Sequence, residues 1–166
     1  MTGAQLAASF RLAARSQAMR KRPFGPTGID VPIIGQGTWQ LRDKNAAADA
    51  LRVGLEVGLT HVDTAELYTG SETVIRDAIG ERRSELFLVS KVMPRHASYK
   101  GTLAACEKSL ARLGTDHLDC YLLHWWSDEH EFAETMRAMG ELVDQVKIRS
   151  VGVSNLYVAA LDAAMA

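Results

Sequence analysis

The residues of this chain whose types and order could do chemistry are Asp63, Tyr68, Lys91 and His124. Asp63 and Tyr68 lie in His61-Val-Asp-Thr-Ala-Glu-Leu-Tyr68, Lys91 closes Leu86-Phe-Leu-Val-Ser-Lys91, and His124 closes Tyr121-Leu-Leu-His124. Tyrosine is a poor acid near neutral pH, with a free pKa of about 10. A neighbouring ammonium stabilises the phenolate, and a carboxylate holds the ammonium in place. Asp63, Lys91 and Tyr68 fit such a chain of carboxylate, ammonium and phenol. A neutral histidine such as His124 could orient a carbonyl oxygen or share the proton. The set suits protonation of an oxygen that is becoming an alkoxide, as when hydride attacks an aldehyde or ketone.

Taken singly, these residues have plainer readings. An Asp at a strand end often caps the next turn, a lone Tyr is usually on the surface, and a lone His is usually in the core. Lys91 resists that treatment, because burying an unpaired ammonium is costly. His61 and Asp63 are two apart and share a strand face, as a metal pair in a barrel hydrolase would. No second His pair or later acidic cluster completes a ligand set, so no metal is expected.

The elements that must position these residues read as short apolar runs alternating with helical stretches. Gly25-Pro26-Thr27-Gly28 followed by Val31-Pro-Ile-Ile34 suggests a hairpin. Strands are expected at 33–37, 61–64, 86–92, 118–124 and 149–154. Helices are expected at 46–57, closed by Gly58; at 71–79, capped by Ser71; at 98–113, capped by Ser98 and closed by Gly114; and at 131–143. A fifth helix starts near Tyr157. Strict alternation implies a parallel sheet covered by helices, either doubly wound or a (β/α)8 TIM barrel. Gly35-Gln-Gly37-Thr-Trp-Gln40 has only half of a dinucleotide-binding glycine pattern. Asp63, Lys91 and His124 all fall at strand ends, where a barrel gathers its reactive groups, so the barrel is preferred.

Composition narrows the function further. With 47% hydrophobic and 23% charged residues, the chain is of ordinary globular type. Its 19 Lys and Arg against 20 Asp and Glu leave no basic patch for nucleic acid. No stretch is long and apolar enough for a membrane span. Cys106 and Cys120 lack metal-ligand spacing and are expected reduced and buried, in a cytoplasmic protein. Residues 1–22 hold Arg11, Arg15, Arg20, Lys21 and Arg22 and no acid. They are expected to form a flexible basic leader, with an organellar transit peptide as the other reading. Residues 23–166 are expected to form the N-terminal part of a single barrel domain. The charges Glu81-Arg82-Arg83 read as a solvated turn.

The chain resembles the aldo-keto reductase family. The resemblance rests on Gly35-Gln-Gly-Thr-Trp39, His61-Val-Asp-Thr-Ala-Glu-Leu-Tyr68, Leu88-Val-Ser-Lys91, Leu118-Asp-Cys-Tyr-Leu-Leu-His124-Trp125 and Lys147-Ile-Arg-Ser-Val-Gly-Val-Ser-Asn155. It extends from about Pro23 to the end, and its flavour is that of bacterial members reducing methylglyoxal, related small dicarbonyls or sugar-derived ketones. The resemblance implies an NADPH-dependent carbonyl reductase with Tyr68 as general acid. Lys91 and Asp63 would lower the Tyr68 pKa, and His124 would place the substrate carbonyl. Thr38 and Asp63 would lie near the cofactor, Ser154 and Asn155 would hold the nicotinamide carboxamide, and Trp39 and Trp125 would line the substrate pocket.

Two departures stand out. Gln145-Val146-Lys147 carries Val where the family usually has Gly, and a turn needing positive φ strains a β-branched residue. The sequence also stops at Ala166, whereas the family's barrels run to about 250 residues or more. The expectation is the first five β/α units of a barrel, with exposed sheet edges through which copies could associate. A non-catalytic fragment or binding module of the same fold is the alternative to an enzyme.

Overall fold

The computed structural model describes residues 19–165. Residues 1–18 lie outside them, and so does most of the expected leader. Lys21 and Arg22, counted with that leader, instead form strand β1 (Lys21–Pro23), which pairs antiparallel with β2 (Asp30–Pro32). A 3-10 turn at Gly25–Thr27 links them, ended by Gly28 at φ +73.

Parallel units follow: β3 (Gln36–Gly37), α1 (Lys44–Glu56), β4 (His61–Asp63), α2 (Ser71–Ile79), β5 (Phe87–Val92), α3 (Tyr99–Leu113), β6 (Cys120–Leu123), α4 (Phe132–Asp144), β7 (Val151–Val153) and α5 (Val158–Met165). The sheet order is β3-β4-β5-β6-β7, every pair parallel and every neighbour next in sequence. A doubly wound sheet reverses its strand order part-way, whereas a barrel wall does not. The fold is therefore α/β, a partial barrel of five parallel strands. No helix among the described residues is long and apolar enough to cross a membrane.

Strand alternation divides the sheet into two faces. Val62, Leu88, Val92, Tyr121 and Leu123 point to the helices and join Leu51, Ile75, Leu110 and Met139 in the main core. Phe87, Val89 and Cys120 point to the other face, where the hairpin covers them with Val31 and Phe24. The Phe24 and Phe87 rings are 4.7 Å apart. The hairpin is thus a floor beneath the N-terminal ends of β5 and β6. Following the same alternation, Asp63, Lys91 and His124 belong to this inner face, at its opposite, C-terminal end.

Local chemistry explains most boundaries. Asp43 caps α1, its carboxylate accepting from the N–H groups of Asn45 and Ala46, so the helix starts two residues before the expected Ala46. Ser98 caps α3, and Gly114 closes it at φ +66. Ser71 does not act as the expected cap. Gly70 precedes the helix at φ +78, and the Ser71 hydroxyl donates to the Thr38 carbonyl at 2.8 Å. The first barrel strand is two residues rather than five: β3 is an edge, with Ile33 and Ile34 exposed.

Arg83 is not part of a solvated turn. Its guanidinium reaches Asp119, 2.8 Å away and fully enclosed, and that carboxylate also receives Arg149 and the Leu88 N–H. A buried carboxylate needs such partners, and these three tie β5, β6 and the approach to β7 together. Cys106 and Cys120 are free and buried, and burial pushes the Cys106 thiol up to about 12.

Candidate active site

The segment after β4 stays attached to β5 before it turns. Thr64 N–H donates to the Val89 carbonyl at 2.9 Å and Glu66 N–H to the Lys91 carbonyl at 3.2 Å. A turn closed by Tyr68 N–H on the Ala65 carbonyl then brings the Tyr68 ring back over the strand end. Lys91 Nζ lies 5.1 Å from the centre of that ring.

Lys91 is 5% exposed, and its ammonium donates to Asp63 Oδ1 at 2.6 Å and to the Thr64 carbonyl at 2.9 Å. Two acceptors and an aromatic face meet the needs of a buried cation. His124 continues the β6 ladder, its N–H donating to the Val92 carbonyl. Its ring meets Tyr68 nearly edge-on, with Nε2 3.5 Å from the phenol oxygen. Burial first, and then the nearby Lys91 charge, hold the His124 pKa below its ordinary value, so the imidazole is neutral at neutral pH. Its Nδ1 is buried without a hydrogen-bond partner among the described residues.

The structure thus brings Asp63, Lys91, Tyr68 and His124 into one cluster. The other residues singled out in the sequence surround it. Thr38 is 1% exposed and gives both its N–H and its hydroxyl to the Asp63 carbonyl, so its side chain holds the backbone of β4. Ser154 N–H donates to the Leu123 carbonyl just past β7. Asn155, at φ +54, gives its amide N–H groups to the His124 carbonyl and to Ser154 Oγ. Trp125 packs on the His124 ring at 4.9 Å. Trp39, 69% exposed, lines a cavity of about 420 Å3 with Leu67 and Tyr68.

Sequence reasoning missed Glu66. Its side chain is 6% exposed and accepts from the Met93 N–H at 2.6 Å and from His96 Nδ1 at 3.0 Å. The only signal was its place inside the Asp63–Tyr68 segment.

With this geometry, comparison with known proteins is decisive. The profile of the Aldo/keto reductase family matches residues 33–166. The chain belongs to the aldo/keto reductase family. It is 48% identical over 134 residues to the methylglyoxal reductase YeaE of Escherichia coli, covering 77% of this chain and 47% of that protein. It is 38% identical over 138 residues to the glyoxal reductase of Bacillus subtilis, covering 81% of this chain and 49% of that one. The chain spans about half the length of the curated relatives it matches. Among solved structures, it resembles an aldo/keto reductase of Klebsiella pneumoniae in complex with NADP and acetate. The TM-score is 0.77 at 46% identity, over 81% of this chain and 49% of that one. The thermostable aldo-keto reductase Tm1743, in complex with the inhibitor epalrestat, gives a TM-score of 0.83 at 39% identity, over 89% of this chain and 58% of that one.

Proposed function

We propose that the natural protein carrying this aldo/keto reductase segment is an NADPH-dependent carbonyl reductase acting on small aldehydes and ketones such as methylglyoxal. The observation that carries the reading is the buried Lys91 ammonium, held by Asp63 and set under the Tyr68 ring. The names of the methylglyoxal and glyoxal reductase relatives support the substrate class. The Klebsiella neighbour in complex with NADP supports the cofactor.

The donor set at the strand ends fits a dihydronicotinamide. Asn155 keeps its amide oxygen, and Ser154 its hydroxyl, for a carboxamide, while Asp63 is 37% exposed and uses one oxygen on Lys91. When bound, NADPH supplies the hydride. Tyr68 supplies the proton to the carbonyl oxygen as it gains negative charge, and Lys91 stabilises the phenolate left behind. His124 Nε2, the ring nitrogen that faces the Tyr68 hydroxyl, donates a hydrogen bond toward the carbonyl in the tautomer that carries its proton there. Trp39 and Trp125 wall the approach. The two free, buried cysteines suit a reducing cytoplasm.

The alternative reading is a catalytically inactive fragment or binding module of the same fold. Tyr68→Phe separates the two. The reductase reading expects a fall of about 10²- to 10⁴-fold in kcat/KM for methylglyoxal in the natural full-length protein. Undiminished reduction by that variant would remove Tyr68 from its role.

A further inference from the structure

Seven residues, Thr64 to Gly70, join the end of β4 to α2 and carry Tyr68. Backbone bonds attach this loop to β5 only as far as Glu66. Beyond that point, the loop's link to the segment following β5 is the Glu66 side chain. Its carboxylate accepts from the Met93 N–H at 2.6 Å and from His96 Nδ1 at 3.0 Å. Glu66 lies two residues before Tyr68, and Met93 lies two residues after Lys91. One side chain therefore bridges the peptide carrying the phenol to the peptide carrying the ammonium.

A carboxylate enclosed to this degree is a poor choice for stability alone, since desolvation offsets much of what its bonds return. Geometry is what it adds. We propose that Glu66 is a positioning residue: its bonds to Met93 and His96 fix the placement of the Tyr68 ring over the Lys91 ammonium. The inference rests on the carbonyl-reductase reading above. Glu66 acts through Lys91 and Tyr68 and need not meet substrate. His96, with its side chain 41% exposed, closes the outer side of the carboxylate, while Met93 N–H holds the inner side. The charged and titratable groups beside Tyr68 and Lys91 are Asp63 at the end of β4, His124 just past β6, and Glu66 with His96 in the two loops.

The test is a set of steady-state kinetics on the natural full-length protein with NADPH and methylglyoxal. Glu66→Ala and Glu66→Gln are each made in the wild-type and Lys91→Met backgrounds. A misplacement near 1 Å costs as much as about 10²-fold, so Glu66→Ala is expected to lower kcat by about 10- to 100-fold. The KM for NADPH is expected to stay within about twofold, because the uniform binding of cofactor is untouched. Glu66→Gln keeps an oxygen acceptor for Met93 N–H and is expected to recover kcat to within about threefold. In the Lys91→Met background, Glu66→Ala is expected to cost less than about twofold, because residues acting as a unit are not additive. Wild-type kcat in Glu66→Ala, Gln as poor as Ala, or equal losses in both backgrounds would each overturn the proposal. A ring-labelled tyrosine NMR spectrum reads the same placement without turnover. The Tyr68 signal is expected to move in Glu66→Ala and return in Glu66→Gln, and an unmoved signal overturns the positioning role. Absence of carbonyl reduction in the wild type would instead sink the reductase reading, leaving the NMR result to decide on Glu66.

Discussion

The Lys91 ammonium and the Asp63 carboxylate meet at 2.6 Å, yet only one of them has left the solvent: the Lys91 side chain is 6% exposed and that of Asp63 37%. The pair is asymmetric, and its two halves are not equivalent to remove. Asp63→Ala leaves an enclosed cation with one acceptor, the Thr64 carbonyl, beside the Tyr68 ring, which is expected to destabilise the fold by about 3 kcal/mol. Lys91→Met leaves a carboxylate that water can reach, with an expected cost of about 1 kcal/mol or less. Both are expected to lower carbonyl reduction by about 10²-fold or more. Thermal unfolding beside kinetics checks this, and equal destabilisation by the two variants would contradict the asymmetry.

Val146 ends α4 in the left-handed region, at φ +59. The turn there is well formed, with Val146 N–H on the Val143 carbonyl and Lys147 N–H on the Leu142 carbonyl, both at 2.9 Å. The side chain is 72% exposed, so nothing in the packing offsets the clash between a β-branched Cβ and its own backbone. Val146→Gly is expected to stabilise the protein by about 1 kcal/mol, the strain removed less the added freedom of the unfolded chain. Urea unfolding at constant m-value measures it. A destabilised variant would show that the strain is absorbed elsewhere.

Acid is expected to weaken the fold from a little below neutrality. Burial holds the pKa values of His124 and His61 below 6.5, so the folded chain keeps both rings neutral where the unfolded chain protonates them. The unfolded state then binds more protons, and stability rises with pH through that window. The melting temperature is expected to be flat above about pH 7 and to fall as pH drops through about 6. His124→Gln is expected to flatten part of that slope. A melting temperature that climbs on acidification would reverse the sign and the argument.

The order of elements was readable because each β/α unit carries its own punctuation. Ser98, Gly58 and Gly114 mark helix ends through chemistry that acts within a few residues. The choice of a barrel followed from titratable residues closing apolar runs, and the sequential strand order agrees with it. Contacts across long separations were not readable. Arg83 finds Asp119 36 residues on, and Glu66 finds His96 30 residues on. Nothing local distinguishes Arg83 from the solvated Arg82 beside it. Ser71 misled for the opposite reason: a residue well suited to capping was drawn to the Thr38 carbonyl of a neighbouring loop. The two-residue β3 is shorter than the apolar run at 33–37 suggests.

The chain has three tryptophans, and all of them, Trp39, Trp125 and Trp126, follow strand ends on the side of the molecule that holds Tyr68. None is in the core, since they are 69%, 37% and 45% exposed. Tryptophan fluorescence of this 166-residue chain is therefore a signal from the mouth of the site and not from its interior. Emission should respond to a molecule arriving beside His124 while changing little when the helices melt, so an optical titration of ligands and a circular-dichroism melt would report on separate events.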